Sequence, residues 1–321
     1  MNACAFGSVP AIIQTTREKG NRVRAEAFFE PWEKSANSWI SSQAAIKDVL
    51  DLGTDRRDLA WRGVANSSYA LHSSLYRRFM TANGVPPDED DLVRFENNIL
   101  LAARKQWRFD NMGALEVMAH LQHYGGPTRL LDVSFNPLVA LWFAVEQKYD
   151  SGGTKIPDKH GRLFVFDVTN RQIDLDQRWG GYALPWNTRP SENWRQGLPM
   201  LWRPPSYNDR IPAQNSAFLV GGVPQVSPGQ NAKYRKAPGD GSAAGNWTID
   251  EVRRSTSVTV SMNSQDRRLQ SGSKPTFTLR IEAEGKPEIR RFLENSYGFN
   301  ASSIYPDLFG LARYGADGIS L

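Results

Sequence analysis

Arg62 and Gly63 are the first residues whose types and spacing suggest chemistry. They end a predicted strand, Asp58–Val64, in which Trp61 precedes the arginine. A guanidinium fork matches phosphate oxygens, and glycine lets a ligand approach the backbone closely. The pair therefore suits a phosphate or pyrophosphate. It also suits a surface arginine beside a turn glycine, and three residues do not decide between the two.

A second segment, residues 121–144, combines a turn with several polar side chains. The pattern predicts a helix end, a Gly-Gly-Pro turn, a buried strand and a new helix. Its polar residues are His123 and Tyr124 before the turn, Thr128 and Arg129 after it, and Asp132 and Ser134 at the strand end. Anionic ligands often bind where a strand runs into a helix N-terminus. Helix capping by Asp132 and Ser134 explains the same spacing equally well.

The elements that must position these groups alternate between helix and strand. Apolar spacing predicts helices over residues 88–109 and 114–123, and Asn136-Pro137 is typical of a helix start. β-Branched and aromatic residues predict strands at 162–168, 217–220 and 277–281. This alternation predicts a mixed α+β fold.

The chain divides into an N-terminal lead-in, residues 1–38, and one domain, residues 39–321. Within that domain, residues 221–274 are rich in Gly, Pro, Ser, Asn and Gln, which predicts a flexible insertion. Residues 231–291 hold 12 Lys/Arg and 7 Asp/Glu and so carry the net charge of +5. A local basic excess could attract nucleic acid, but a solvated basic loop is the simpler interpretation.

Composition excludes several classes of protein. The 321 residues contain no apolar run of about 20, the length that a membrane span needs. The lone cysteine, Cys4, cannot form an internal disulfide, and with only four histidines we expect no structural metal. The first residues do not follow the pattern of a secretory signal. We therefore expect a cytoplasmic protein without membrane partners.

Several motifs, taken together, resemble the FRG domain family. The signature Trp61-Arg62-Gly63 is followed by a run from Leu71 to Arg77 and by Gln122-His123-Tyr124-Gly125…Pro127–Asp132. Asp209–Gln214 with Phe218 resembles the later Arg-Ile-x-Ala-Gln segment of the family, and Lys286–Ile289 and Ile304–Leu308 resemble its C-terminal landmarks. The resemblance covers residues 39–315. It implies, by analogy, a bacterial toxin or phage-defence component with a cognate antitoxin.

Residues 131–144 also resemble the strand–helix segment of ADP-ribosyltransferases, in which an Arg-Gly pair lies upstream. This resemblance implies a mixed, mostly antiparallel split sheet flanked by helices, with NAD as substrate. The implied catalytic residues are Asp132, Ser134, Gln214 and Arg210. The implied cofactor-binding residues are Arg62, Gly63, His123, Tyr124, Thr128 and Arg129. The acceptor of the ADP-ribosyl group would be a nucleic acid or a protein.

The sequence departs from the transferase pattern at two points. Asp132 replaces the first residue of the expected Ser-Thr-Ser triplet, and the segment Asp209–Gln214 lacks the usual catalytic Glu. Gln214 could bind a ribose hydroxyl but supplies no negative charge, so Asp132 is expected to supply it. Three main functions remain open: an ADP-ribosyltransferase, an NAD glycohydrolase with water as acceptor, and a non-catalytic module that binds nucleic acid or phosphate. A hydrolase that uses His123 with Asp132 or Ser134 has the least support, because no nucleophile-elbow pattern surrounds Ser134.

Overall fold

The computed structural model describes residues 25–52, 57–150, 152–175, 179–188, 197–225, 234, 236, 245–265, 269 and 272–317. Within these residues, seven strands form one mixed sheet. They are β1 (Glu33–Ala36), β2 (Leu59–Val64), β3 (Leu131–Ser134), β4 (Gly161–Asp167), β5 (Met200–Trp202), β6 (Ser216–Val220) and β7 (Thr276–Ile281). Their spatial order is β1-β7-β4-β2-β3-β6-β5. Only the β1–β7 pair among them is parallel.

Helices pack on both faces of this sheet and at its ends. The described α-helices are α1 (Trp39–Leu50), α2 (Ser74–Asn83), α3 (Glu89–Trp107), α4 (Ala114–His123), α5 (Pro137–Val145), α6 (Pro185–Thr188), α7 (Arg210–Ala213), α8 (Ile249–Ser255), α9 (Lys286–Tyr297), α10 (Ala301–Ile304) and α11 (Leu308–Asp317). None of them combines the length and the apolar character that a membrane crossing requires. The expectation of a mixed, mostly antiparallel sheet flanked by helices is confirmed.

The sheet opens between β2 and β3. β2 pairs with β4 along its whole length, from Leu59↔Asp167 to Val64↔Arg162. It pairs with β3 through a single residue pair, Trp61↔Ser134. Beyond that pair the two strands separate, which leaves a gap in the middle of an otherwise continuous sheet.

Apolar side chains pack against both faces of the sheet, because the sheet lies inside the molecule. Every residue of β4 is buried, and its side chains alternate between two apolar clusters. Leu163 and Val165 pack with α5 and α9, whereas Phe164 and Phe166 pack with residues of β3 and β6 on the other face. This is the period of two that a strand imposes. The side chains of β4 therefore contribute to the core on both faces of the sheet.

Helix α5 lies directly on β2 and β4. A Cβ added to Gly63 would come within 1.8 Å of Ala140 O, and one added to Gly161 within 2.3 Å of Ala144 O. Asn136 caps the helix by accepting from Leu138 N, with Pro137 at the first helical position, as its sequence predicts. The two glycines let the helix backbone approach the sheet.

Part of the expected insertion, residues 221–274, belongs to the core. The region includes helix α8, and Val252, Val258 and Val260 are 0–1% exposed. Residues 252–260 are therefore packed against the domain, because these valines bury apolar surface that the average composition did not indicate. Residues 226–233, 235, 237–244, 266–268 and 270–271 of the insertion lie outside the described residues. So do residues 1–24 of the lead-in.

Candidate functional site

A cavity of about 500 Å³ lies at the gap between β2 and β3. Its walls come from these two strands, the start of α2, the end of α4, the loop before α7, and Tyr305. The polar side chains among its lining residues belong to Arg62, His72, Ser73, Ser74, Arg77, His120, Gln122, His123, Asp132, Ser134, Tyr207, Asn208, Arg210, Gln214, Ser216 and Tyr305. The volume lies in the range of small-molecule sites.

Arg62 and Asp132 meet across the gap. Arg62 Nη1 donates to the backbone O of Asp132 at 2.6 Å and lies 3.8 Å from its Oδ2. The Arg62 side chain is 18% exposed, whereas that of Asp132 is 60% exposed. Burial lowers the pKa of Arg62, and the Asp132 carboxylate opposes that effect. The cavity thus holds a largely buried cation beside an accessible acid.

Gln122 holds the Asp132 carboxylate from the α4 side. Its Nε2 lies 3.2 and 3.1 Å from the two carboxylate oxygens and also donates to Leu130 O at 3.2 Å. The Thr128 hydroxyl donates to Gln122 Oε1, which fixes the orientation of the amide. Thr128 itself is fully buried. Thr128 therefore contacts Gln122 and does not line the cavity, although it was expected to bind the cofactor.

Arg77 adds a second cation to the cavity wall. It projects from α2, and its Nη1 donates to His72 O at 2.6 Å. Burial lowers the pKa of Arg77, while Asp132 raises it, so both arginines feel the same carboxylate. Burial lowers the pKa of His72 to about 3, which keeps its imidazole neutral. The ring shares a hydrogen bond of 2.9 Å with Arg253 O, so Nε2 carries the proton.

An aromatic pair forms another part of the wall. The rings of His120 and Tyr207 lie 4.8 Å apart between centroids and are tilted by 42°. The Tyr207 hydroxyl donates to Glu116 Oε1 at 3.1 Å. Asn208, the next residue, accepts from the backbone N–H of Arg210 and Ile211.

Arg210 and His123 reach the cavity but are bound to the C-terminal segment. Arg210 makes two contacts of 2.7 Å with the Asp307 carboxylate, and His123 Nε2 lies 3.5 Å from Asp307 Oδ2. Burial disfavours the charged form of Asp307, but hydrogen bonds from Arg210 and Gly310 hold its pKa below the usual value. Burial and the nearby Arg210 lower the pKa of His123. The Asp307 carboxylate of the C-terminal segment therefore contacts both Arg210 and His123.

Gln214 and Ser134, two residues expected to be catalytic, are engaged in structural hydrogen bonds. Gln214 Nε2 donates to Ile304 O at 2.8 Å, and its Oε1 accepts from Ser216. The Ser134 hydroxyl donates to Gln214 O at 2.6 Å and accepts from Asn136 N. Ser134 is 4% exposed. These bonds join β3 to the start of α5 and to α10. Asn136 caps α5, so the capping by Asp132 and Ser134 that the spacing also allowed does not occur.

Arg129 does not bind a cofactor in this arrangement, contrary to expectation. It is 2% exposed and forms ion pairs with Glu89 (2.7 Å) and Glu96 (2.6 Å). Its guanidinium also stacks on the Trp186 ring, 4.4 Å from the centroid. The two glutamates come from α3, about 35 residues earlier in the chain, so the motif around Arg129 gave no signal of this burial.

Gly63 and Tyr124 also differ from expectation. The missing side chain of Gly63 makes room for the backbone of α5, not for a ligand. Tyr124 is 73% exposed and lies outside the residues that line the cavity. Among the expected site residues, Arg62 and Asp132 contact each other through their polar groups. The Asp132 carboxylate remains accessible. Arg77, His120, Gln122, Tyr207 and Asn208 were not among the expected residues, although Gln122 and Arg77 stand in the motifs themselves.

A separate group of possible metal ligands lies at the edge of β4 and β7. One ligand atom from each of His160, Glu282 and Glu284 falls within 4.8 Å of the others. The Ala283 N–H donates to His160 Nδ1 at 3.2 Å, and Glu282 Oε2 contacts the same nitrogen at 2.5 Å. The imidazole Nδ1 therefore already contacts Ala283 and Glu282, which follow the end of β7.

The fold is a mixed α/β fold, and charged and polar side chains line the cavity beside its central sheet. In the comparison with protein families, the FRG domain model matches residues 57–152. The chain therefore contains an FRG domain, which supplies Arg62, Arg77, His120, Gln122 and Asp132, whereas Tyr207, Asn208 and Arg210 follow it. No curated protein and no solved structure matches the chain.

Proposed function

We propose that the cavity binds NAD⁺ and that the protein transfers its ADP-ribosyl group to an acceptor. The observation that carries this proposal is the pairing of Arg62 with Asp132 at the gap in the sheet. A largely buried guanidinium lies 3.8 Å from a carboxylate that is 60% exposed. NAD⁺ carries phosphate groups and a reactive glycosidic bond to a positively charged nicotinamide. Such a substrate needs a guanidinium for the phosphates and a carboxylate near the glycosidic bond.

The two cavity arginines are suited to the pyrophosphate. Burial lowers the pKa of both Arg62 and Arg77, although Arg77 keeps an exposed surface. Asp132 is a single counter-charge for two guanidinium groups. A pyrophosphate would neutralise the remaining positive charge of the two arginines. It would also accept several hydrogen bonds in the fork geometry that arginine provides.

Asp132 is placed to assist the transfer. The bond between C1′ of the ribose and the nicotinamide nitrogen breaks, and its electron pair leaves with the nicotinamide, which becomes neutral. The nearby carboxylate stabilises the positive charge that develops at C1′. The acceptor nucleophile then bonds to C1′ and releases its proton to Asp132. Gln122 keeps the carboxylate in place during both steps.

NAD⁺ hydrolysis is the second candidate, and the exposure of Asp132 favours it. A carboxylate that is 60% exposed can accept a proton from water as readily as from a macromolecule. The same site then gives free ADP-ribose. Under either reaction, the fold class that we propose is ADP-ribosyltransferase-like, on the basis of the central gap in the sheet and the Arg62–Asp132 pair. Either reaction could make the protein a toxin with a cognate antitoxin.

The test uses NAD⁺ labelled in the adenylate part, with RNA, DNA and a protein extract as acceptors. Wild type is compared with Arg62→Ala, Asp132→Asn and the control Arg78→Ala, a change at an exposed arginine of α2 outside the cavity lining. We expect nicotinamide release from wild type and the control, and at least a hundredfold less from Asp132→Asn. Labelled macromolecule supports transfer, whereas free ADP-ribose alone supports hydrolysis. Absence of both NAD⁺ binding and nicotinamide release would contradict the proposal.

A further inference from the structure

His120 and Tyr207 present an aromatic surface inside the cavity. Their rings lie 4.8 Å apart and are tilted by 42°, and both residues line the cavity while remaining partly exposed. Aromatic pairs of this kind are usually covered by other apolar groups. Tyr207 packs against an apolar cluster on its protein side, and a partly exposed ring in a nucleotide-sized cavity can accept a planar ligand on its face.

The ring of Tyr207 is held in a fixed position. Its hydroxyl donates to Glu116 Oε1 at 3.1 Å, and Glu116 Oε2 accepts from the Gly113 N–H at 2.8 Å. Burial, followed by the Glu116 charge, raises the pKa of Tyr207, so the hydroxyl keeps its proton. Because the hydroxyl is already engaged, the ring face is what Tyr207 offers to a ligand. A pre-positioned ring loses little conformational freedom on binding.

Asn208 supplies a directed hydrogen-bond donor beside the rings. Its Oδ1 accepts from Arg210 N at 3.0 Å and from Ile211 N at 3.3 Å, which fixes the amide plane. Within the described part of the chain, Asn208 Nδ2 and the two ring nitrogens of His120 form no hydrogen bond. These groups suit a planar ligand that carries acceptor atoms on its edge.

We infer that His120, Tyr207 and Asn208 form a subsite for the nitrogen heterocycle of a nucleotide. The heterocycle stacks on the Tyr207 and His120 rings, and Asn208 Nδ2 donates to a ring nitrogen or a carboxamide oxygen. This inference rests on the proposed function, because it assigns the heterocycle of the same ligand whose phosphates Arg62 and Arg77 bind. Adenine and nicotinamide share this chemistry, and both are present in NAD⁺.

Isothermal titration with three probes distinguishes the phosphate contacts from the ring contacts. The probes are inorganic pyrophosphate, AMP and nicotinamide mononucleotide, titrated into wild type, Tyr207→Leu, Tyr207→Phe and the control Tyr182→Leu, which changes an exposed tyrosine outside the cavity lining. We expect Tyr207→Leu to lower the affinity for one of the two mononucleotides by about tenfold or more. We expect the affinity of Tyr207→Leu for pyrophosphate to stay within about twofold of the wild-type value. Tyr207→Phe should recover most of the lost affinity for the mononucleotide, because it keeps the ring.

The mononucleotide that loses affinity identifies the heterocycle in the subsite. Equal affinities of wild type and Tyr207→Leu for both mononucleotides would overturn the inference, as would an equal loss for pyrophosphate. Asn208→Asp provides an independent test. It keeps the side-chain oxygen that accepts from Arg210 and Ile211, and it removes the Nδ2 donor. We expect it to weaken the same mononucleotide by about tenfold. If wild type binds mononucleotides through Tyr207 but Arg62→Ala has no effect on any probe, the proposed function fails while the subsite stands.

Discussion

Gln122 Nε2 lies within hydrogen-bond distance of both carboxylate oxygens of Asp132, at 3.2 and 3.1 Å, and so ties the end of α4 to the accessible acid of the cavity. Thr128, buried behind it, fixes the amide orientation. The acid on β3 therefore has a defined position before any ligand binds. Pre-positioning of this kind matters for a group that must act at one atom of a substrate.

Replacing Gln122 by Leu is expected to lower kcat for nicotinamide release by about tenfold, because Asp132 loses its hydrogen bonds to the amide. KM for NAD⁺ is expected to change by less than about threefold, since the arginines remain in place. Steady-state kinetics measure both values. Gln122→Glu, which sets a like charge beside Asp132, should lower kcat further. A wild-type kcat in both variants would show that Gln122 has no positioning role.

Gly63→Ala is expected to destabilise the protein by about 3 kcal/mol or more, because the new methyl group would overlap Ala140 O at 1.8 Å. The helix backbone cannot yield without breaking its contact with β2. Gly181→Ala is the matched control, since no atom lies within 4 Å of a Cβ added there. Chemical denaturation of both variants measures the difference. A Gly63→Ala protein as stable as the control would contradict the close packing of α5 on β2.

Arg129→Met is expected to destabilise the fold by about 3–5 kcal/mol, because it leaves Glu89 and Glu96 buried without their common cation. The folded fraction should keep the pyrophosphate affinity of wild type, since Arg129 does not line the cavity. Denaturant unfolding and titration with pyrophosphate test the two statements. Loss of affinity in a fully folded variant would return Arg129 to the ligand site.

His72 is expected to make stability fall as pH drops below about 6.5. In the unfolded chain its imidazole takes up a proton near pH 6.5, whereas burial lowers its pKa in the folded protein to about 3. Protonation between these values favours the unfolded chain, so the contribution of His72 is complete above pH 6.5 and lost toward pH 3. His72→Gln should reduce the slope of unfolding free energy by up to about 1.4 kcal/mol per pH unit between pH 6 and 4. Identical slopes would contradict a buried neutral imidazole.

Asp307→Asn is expected to lower the pKa of His123 further below its usual value. Burial and Arg210 lower that pKa in the wild-type protein, and Asp307 is the group that raises it. NMR titration of the imidazole resonances measures the change. The same variant should make residues 301–317 more accessible to proteases, because Arg210 loses two contacts of 2.7 Å. An unchanged or higher pKa would contradict the contact between His123 and Asp307.

The local elements were predictable because their signals lie within a few residues of each other. The helix expected at residues 114–123 is α4, and the expected Asn136 cap and Pro137 open α5. The split sheet that the transferase resemblance implied stays a prediction, because β2 and β3 remain neighbours in one seven-stranded sheet and pair through Trp61 and Ser134. Propensity and capping depend on near neighbours in the chain, whereas strand order depends on contacts between distant segments.

The sequence by itself also determined the two strands that carry Arg62 and Asp132, because strand propensity and turn residues act over a few positions. Tertiary structure alone decided which of their polar neighbours could act. Arg129 is buried by glutamates of α3, Ser134 and Gln214 are engaged by backbone groups, and Tyr207 enters the cavity from a loop far along the chain. A side chain's chemistry is set by its type, but its availability is set by partners that the local sequence does not contain.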